Sequence, residues 1–111
     1  MPINSRQKGK KGELELAHYL TDAGFPARRG QQFRGGGDSP DVVCDSLSGL
    51  GFDIECKRVQ SLNIHKAVSK CDDEGLNDPV VMHRKNGEQW LATMPLDVFL
   101  FHMLRMQEFT K

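Results

Sequence analysis

The segment PDVVCDSLSGLGFDIECKR, residues 40–58, carries the residue types and spacing for metal-assisted chemistry. Asp41 opens one expected strand, and Glu55-Cys56-Lys57 closes another. Strand side chains alternate faces, so Phe52, Ile54 and Cys56 share an apolar face while Asp53, Glu55 and Lys57 share the other. Antiparallel neighbours joined by a short turn bring Asp41 beside Glu55. Two carboxylates at short range repel unless a cation lies between them. Oxygen ligands suit Mg2+ or Mn2+. An ammonium at Lys57 could orient an attacking water or stabilise charge developing on a phosphate. The same spacing also fits a solvated polar strand face, with Lys57 paired to Glu55.

Glu13 is the next candidate. On a helix its neighbours at i+3, i+4 and i+7 are Leu16, Ala17 and Leu20, the stripe that faces a core. Glu15 is turned roughly 200° away and shares a face with His18, Tyr19 and Asp22. A carboxylate on a buried stripe needs a partner. A metal ion shared with Asp41 and Glu55 is one; the helix dipole acting on a first-turn glutamate is the other. Gly35-Gly36-Gly37 allows close approach to a phosphate backbone, or is a plain connector. His65 and Lys66 could touch a phosphate chain or merely cover a surface. His18, His83 and His102 show no metal-ligand spacing, and core packing suits Trp90.

The elements that must position these residues follow from periodicity and punctuation. Residues 1–8 read as a loose basic arm. A helix is expected from Lys10 to Ala23, stopped by Gly24, then a short strand over Phe25–Arg29. Residues 29–40 read as a loop. Strands are expected at Asp41–Asp45 and Gly51–Arg58 with a turn at Ser46–Leu50, then a helix at Ile64–Glu74 closed by Gly75. Pro79–Arg84 and Gln89–Thr93 form a hairpin across Lys85-Asn86-Gly87-Glu88. Pro95 opens a final helix running to about Gln107. The order α-β-β-β-α-β-β-α describes an α/β domain, a mixed sheet flanked by helices.

The chain has 111 residues, which fits one domain spanning 1–111. Net charge is zero, yet residues 1–34 hold seven bases (Arg6, Lys8, Lys10, Lys11, Arg28, Arg29, Arg34) against three acids. A local basic surface can bind phosphate on a neutral protein, and a solvated basic arm is the alternative. Three cysteines without C-x-x-C spacing read as reduced thiols in a cytoplasmic protein. No apolar run approaches a membrane span, and nothing reads as a signal peptide.

Pro40-Asp41, thirteen intervening residues, then Glu55-Cys56-Lys57 resembles the motif of the PD-(D/E)xK, or restriction-endonuclease-like, nucleases. The opening KGKKGELELAHYLTDAGFPARR (8–29) is similar to the start of archaeal Holliday junction resolvases, and Glu13 falls on their helix glutamate. LNIHKAVSK (62–70) and MHRKNGEQWLATMPLDVFL (82–100) look like small phage-type nucleases of the same superfamily. The resemblance implies a restriction-endonuclease-like fold with Asp41, Glu55, the Cys56 carbonyl and Glu13 as ligands of Mg2+ (or Mn2+), and Lys57 as catalytic lysine. It implies hydrolysis of DNA phosphodiesters by a metal-activated water, in recombination or repair. Lys8, Lys10, Lys11, Arg28, Arg29, Arg34 and Ser39 would meet DNA, branched or duplex. Where some members carry a glutamine on the helix after the lysine, this chain offers Lys70.

The rival readings are a non-catalytic nucleic-acid-binding module on the same fold, and a single-strand or RNA nuclease. The final helix, LDVFLFHMLRMQ, holds more apolar residues than one core-facing stripe needs. A homodimer would cover the excess.

Overall fold

The computed structural model describes residues 5–30, 40–73, 76 and 78–109. Helix α1 (Ser5–Asp22) leads to β1 (Ala27–Arg29) and β2 (Val42–Cys44). A four-residue helix, α2 (Asp45–Ser48), precedes β3 (Asp53–Arg58). Helix α3 (Ile64–Asp73) then crosses to β4 (Pro79–Arg84), which is followed by β5 (Leu91–Thr93) and helix α4 (Leu96–Phe109). The strands form one sheet in sequence order. β3 and β4 run parallel, and the other pairs are antiparallel.

The apolar stripe of α1 explains the first core. Leu16, Ala17 and Leu20 are buried against Val42, Cys44, Ile54, Val80 and Trp90 on one sheet face. The opposite face is closed by α3. Asn63 starts that helix, its side-chain oxygen accepting the Lys66 backbone N–H at 3.1 Å. Ala67 and Cys71 pack with Leu76 over Val81, with Leu62, Ile64 and Val68 around them. Both faces of the β3–β4 pair are therefore covered in their first halves. Their C-terminal halves, carrying Lys57, Arg58, His83 and Arg84, are more open.

Several boundaries differ from expectation, among them the starts of β3 at Asp53 and β5 at Leu91, each two residues late. α1 begins at Ser5, so residues 5–8 are helical and not a loose arm. That turn has no apolar residue, so periodicity could not reveal it, although Gln and Lys are good helix formers. The expected turn at Ser46–Leu50 is largely α2, whose Leu47 packs on the first core. β1 starts at Ala27, two residues late, after the exposed Phe25 and Pro26. The second hairpin matches its signal. Gly87 has φ 76°, and the Glu88 N–H donates to the Lys85 carbonyl at 3.1 Å. The proposed end of α3 at Glu74-Gly75 lies outside the described residues.

Two glycines allow close approaches that set the position of Asp41 and Glu13. A Cβ on Gly30 would strike the Pro40 carbonyl oxygen, and the Gly30 N–H donates to the Asp41 carbonyl at 2.8 Å. A Cβ on Gly12 would sit 2.5 Å from Arg58 Cβ, so glycine lets α1 lie directly on β3. In an exposed helix, Gly→Ala gains up to about 1 kcal/mol. Here the added methyl meets an atom next to the backbone, and such overpacking costs about 1–3 kcal/mol. Gly12→Ala is therefore expected to lose about 1–2 kcal/mol net in urea unfolding. A gain in stability would show that α1 does not approach β3 this closely.

Candidate functional site

Three acidic side chains near the start of β2 and the middle of β3 lose nearly all contact with water: Glu13 (7% exposed), Asp41 (9%) and Glu55 (7%). Glu13 is buried because it continues the Leu16–Leu20 stripe. Asp41 precedes Val42, the partner of Ile54, and Glu55 follows Ile54. Asp41 and Glu55 thus adjoin at the junction of two strands. Asp41 Oδ2 accepts the Cys56 backbone N–H at 2.9 Å, which fixes its carboxylate against β3.

Each carboxylate has a protein partner. Arg29 Nε donates to Glu13 Oε1 at 2.8 Å. Lys57 Nζ stands 3.6 Å from Glu55 Oε1. These partners do not cancel the crowding. Burial pushes the Glu13 carboxyl above its ordinary value, the Arg29 hydrogen bond pulls it back, and the Asp41 charge pushes it up again. Burial, and then the charges of Asp41, Glu13, Glu55 and Glu15, drive the Cys56 thiol far above its ordinary range. Cys56 is therefore no thiolate nucleophile. Four carboxylates lie within electrostatic range of its thiol.

The donor set is all oxygen, which fits a hard divalent cation. Among the described residues, no three His, Cys, Asp or Glu side chains already converge as ligands around one point. Arg29 is paired with Glu13 and Lys57 with Glu55 instead. The fit with a cation lies in charge and chemistry: buried carboxylates, with Asp41 raising Glu13, beside two basic groups.

The basic residues are spread over several places. Lys10 and Lys11 are exposed on α1. Arg29 turns to Glu13, whereas Arg28 points the other way, 3.9 Å from Asp45 and largely in solvent. The Lys8 side chain, Arg34, Ser39 and the glycine run 35–37 lie outside the described residues. Lys70 and His65 are exposed on α3.

Sequence reasoning set Glu15 aside, and the structure gives it a structural task. It accepts from Arg58 Nε at 3.1 Å and from Arg84 Nη1 at 2.6 Å, tying α1 to both parallel strands. Alternation already put Arg58 on the α1 face, next to Lys57 on the other; nothing local pointed to Arg84. His102 was also passed over. It is buried, 3.0 Å from Asp78 Oδ2, with its ring stacked 3.9 Å from the Phe52 ring. This contact fastens α4 to the sheet domain.

No protein-family model matches the chain, and no curated protein matches it. Among solved structures it is similar to that of Hjc, a Holliday junction resolvase from the archaeal hyperthermophile Archaeoglobus fulgidus. Identity is 24% over 78% of this chain and 72% of that one, with a TM-score of 0.51. The likeness establishes a shared fold: a mixed sheet with flanking helices. No helix among the described residues is long and apolar enough to cross a membrane.

Because the folded-state value of Glu13 lies above the unfolded one, its neutral form favours the fold. That contribution is present below the ordinary carboxylate value and is lost as pH rises through the raised one. At neutral pH the ionised Glu13 is thus a net cost. Glu13→Gln is expected to raise the melting temperature without divalent ions. Mg2+ or Mn2+ should raise the wild-type melting temperature more than that of Glu13→Gln. Equal metal shifts in both proteins, read by scanning fluorimetry, would remove Glu13 from the cation site.

Proposed function

We propose that the protein is a metal-dependent endonuclease of the PD-(D/E)xK type that hydrolyses DNA phosphodiesters and prefers branched DNA. The observation that carries this is the buried group Glu13, Asp41 and Glu55 around Cys56, with Lys57 beside Glu55. Structural likeness to a Holliday junction resolvase supports the preference for branches.

Glu13, Asp41, Glu55 and the Cys56 carbonyl would hold Mg2+ or Mn2+. A bound ion of this kind supplies an activated water and offsets phosphate charge. Arg29 and Lys57 are then released from pairing the carboxylates. Lys57 donates to the attacked phosphate or to the water beside it, and stabilises charge that grows in the transition state. Arg29 stays at the rim, where a neighbouring phosphate can take it from Glu13. Exposed Lys10, Lys11 and Arg28 supply sequence-independent backbone contacts.

A second copy of the chain is the partner we assign to α4. Leu96, Leu100 and Leu104 recur at four-residue spacing, with 69%, 50% and 62% of their surfaces exposed. Phe99, Phe101 and Met106 widen the patch. A twofold axis near Leu100 and Phe101 would pair two α4 helices antiparallel and bring Asp97 of one toward Arg105 of the other. That match of apolar stripe and opposite charge is self-complementary, as a twofold interface requires. Two such subunits present two sites, suited to paired cuts in opposed strands.

Asp41→Ala, Glu55→Ala and Lys57→Ala are each expected to reduce cleavage of a four-way junction about a hundredfold or more, with DNA binding retained. Cleavage should need Mg2+ or Mn2+ and stop in EDTA. Wild-type rates for Lys57→Ala would overturn the motif assignment, and full activity in EDTA the metal mechanism; equal rates on junction and linear duplex would remove only the branch preference. Leu100→Glu should turn a dimer into a folded monomer by light scattering. A wild-type monomer at micromolar concentration would end the dimer.

A further inference from the structure

A cavity lies beside the proposed cutting site. It has a volume of about 480 Å³ and opens at the C-terminal ends of the parallel strands β3 and β4. In parallel α/β arrangements this end is where ligands bind. The register explains how it relates to the acidic cluster. Lys57 on β3 is paired with His83 on β4, and His83 with Leu91 on β5. All three project from the same sheet face as Glu55 and Val81. The cavity therefore begins one strand, about 4.8 Å, from the lysine proposed to meet the reacting phosphate.

Its lining is chemically divided. Leu62 and Ile64 come from the segment that enters α3, and Leu91 from the sheet edge; together they supply apolar walls. His83 forms part of the lining, with its Nε2 2.8 Å from Thr93 Oγ1. Burial holds His83 below its ordinary value, so at neutral pH it offers a neutral ring. Gln89 contributes an amide, able to donate and accept. Arg84 and Lys85 bring positive charge to the same cavity and Glu88 one negative charge, with Arg84 also paired to Glu15. Apolar walls with a ring, an amide able to donate to or accept from any base edge, and an excess of cations suit a flat heteroaromatic group attached to phosphate. The volume is ample for one such group.

We infer that this cavity receives a single unpaired nucleobase of the DNA strand, next to the phosphate held at Lys57. The inference rests on the nuclease reading for its position along the strand, but not for the chemistry of the cavity. A base in an intact duplex is stacked and cannot enter without a cost of a few kcal/mol; an unpaired base enters at far smaller cost. The cavity thus gives the protein a physical means to prefer branch points, bulges and flaps without reading sequence. Contact of a base with the His83 ring and apolar walls depends on its flat face, which every base has.

Two measurements test it. The first titrates the isotope-labelled protein with deoxyadenosine monophosphate and, separately, with deoxyribose 5-phosphate. The nucleotide should shift the His83, Gln89 and Leu91 signals at millimolar concentration, the sugar phosphate should not, and Leu91→Asp should abolish the shifts. Leu91 is 57% exposed and outside both cores, so this variant should fold; an unchanged circular dichroism spectrum checks it. The second compares affinity, in Ca2+, for a duplex with one unpaired adenosine and for the same duplex with an abasic bulge. The wild type should favour the adenosine about tenfold, and Leu91→Asp or Gln89→Ala should erase that preference while keeping the affinity for matched duplex. Shifts from neither ligand, or equal shifts from both, overturn the base pocket whatever the cleavage assays show. Equal affinity for the two bulged duplexes overturns it as well. Nucleotide binding in a protein that neither binds nor cuts DNA would leave the cavity assignment standing and overturn the nuclease reading instead.

Discussion

Negative charge kept out of water is the constraint that the rest of this molecule answers to. Glu13, Asp41 and Glu55 are all buried, and Glu15 is half-buried against Arg58. Such groups are costly to bury unless they are paired. The neighbouring elements provide the pairing. β1 contributes Arg29, β3 contributes Lys57, Arg58 and the Cys56 N–H, and β4 contributes Arg84. The approach of α1 to β3 at Gly12, and of β1 to the Pro40–Asp41 segment at Gly30, brings the acids within range of those partners. A sheet built only for apolar packing would not need these two close approaches.

Much of this was legible in the chain. Local signals were strong where one physical rule acted alone. The 3.6-residue stripe of α1 placed Glu13 inward, and burial of Leu16, Ala17 and Leu20 agrees. Alternation on β3 separated Ile54 from Glu55. Asn86-Gly87 gave the β4–β5 turn, and Pro79–Arg84 was read to the residue. The approximate neighbourhood of Asp41 and Glu55 followed from antiparallel pairing across a short connection.

What was hidden depends on contacts between distant segments. Glu15 looked like a surface residue because helix phasing compares it only with its own helix; its partners are 43 and 69 residues away. Gly12 in a helix looks like a small defect until β3 lies against it. His102 had no ligand spacing and a mostly apolar neighbourhood, so nothing announced Asp78 and Phe52 as its partners. The first turn of α1 carried no apolar residue for a periodic pattern to register. The cavity near Lys57 combines the β4–β5 hairpin, residues 83–91, with Leu62 and Ile64, and neither segment announces that meeting by itself.

The reach of Glu15 to Arg84 has a consequence for the time at which the molecule becomes competent. During synthesis Glu13 and Glu15 emerge early, and Arg84 follows Glu15 by 69 residues. At about 5–20 residues per second that interval is roughly 3–14 s. Until it ends, α1 has no complete set of cations to dock against, and its acids remain hydrated. Parallel pairing of β3 with β4 imposes the same wait, because it cannot begin before the whole crossover exists. The nascent chain is thereby kept without an assembled acidic centre on the ribosome, surrounded by nucleic acid, until nearly all of the domain has been made.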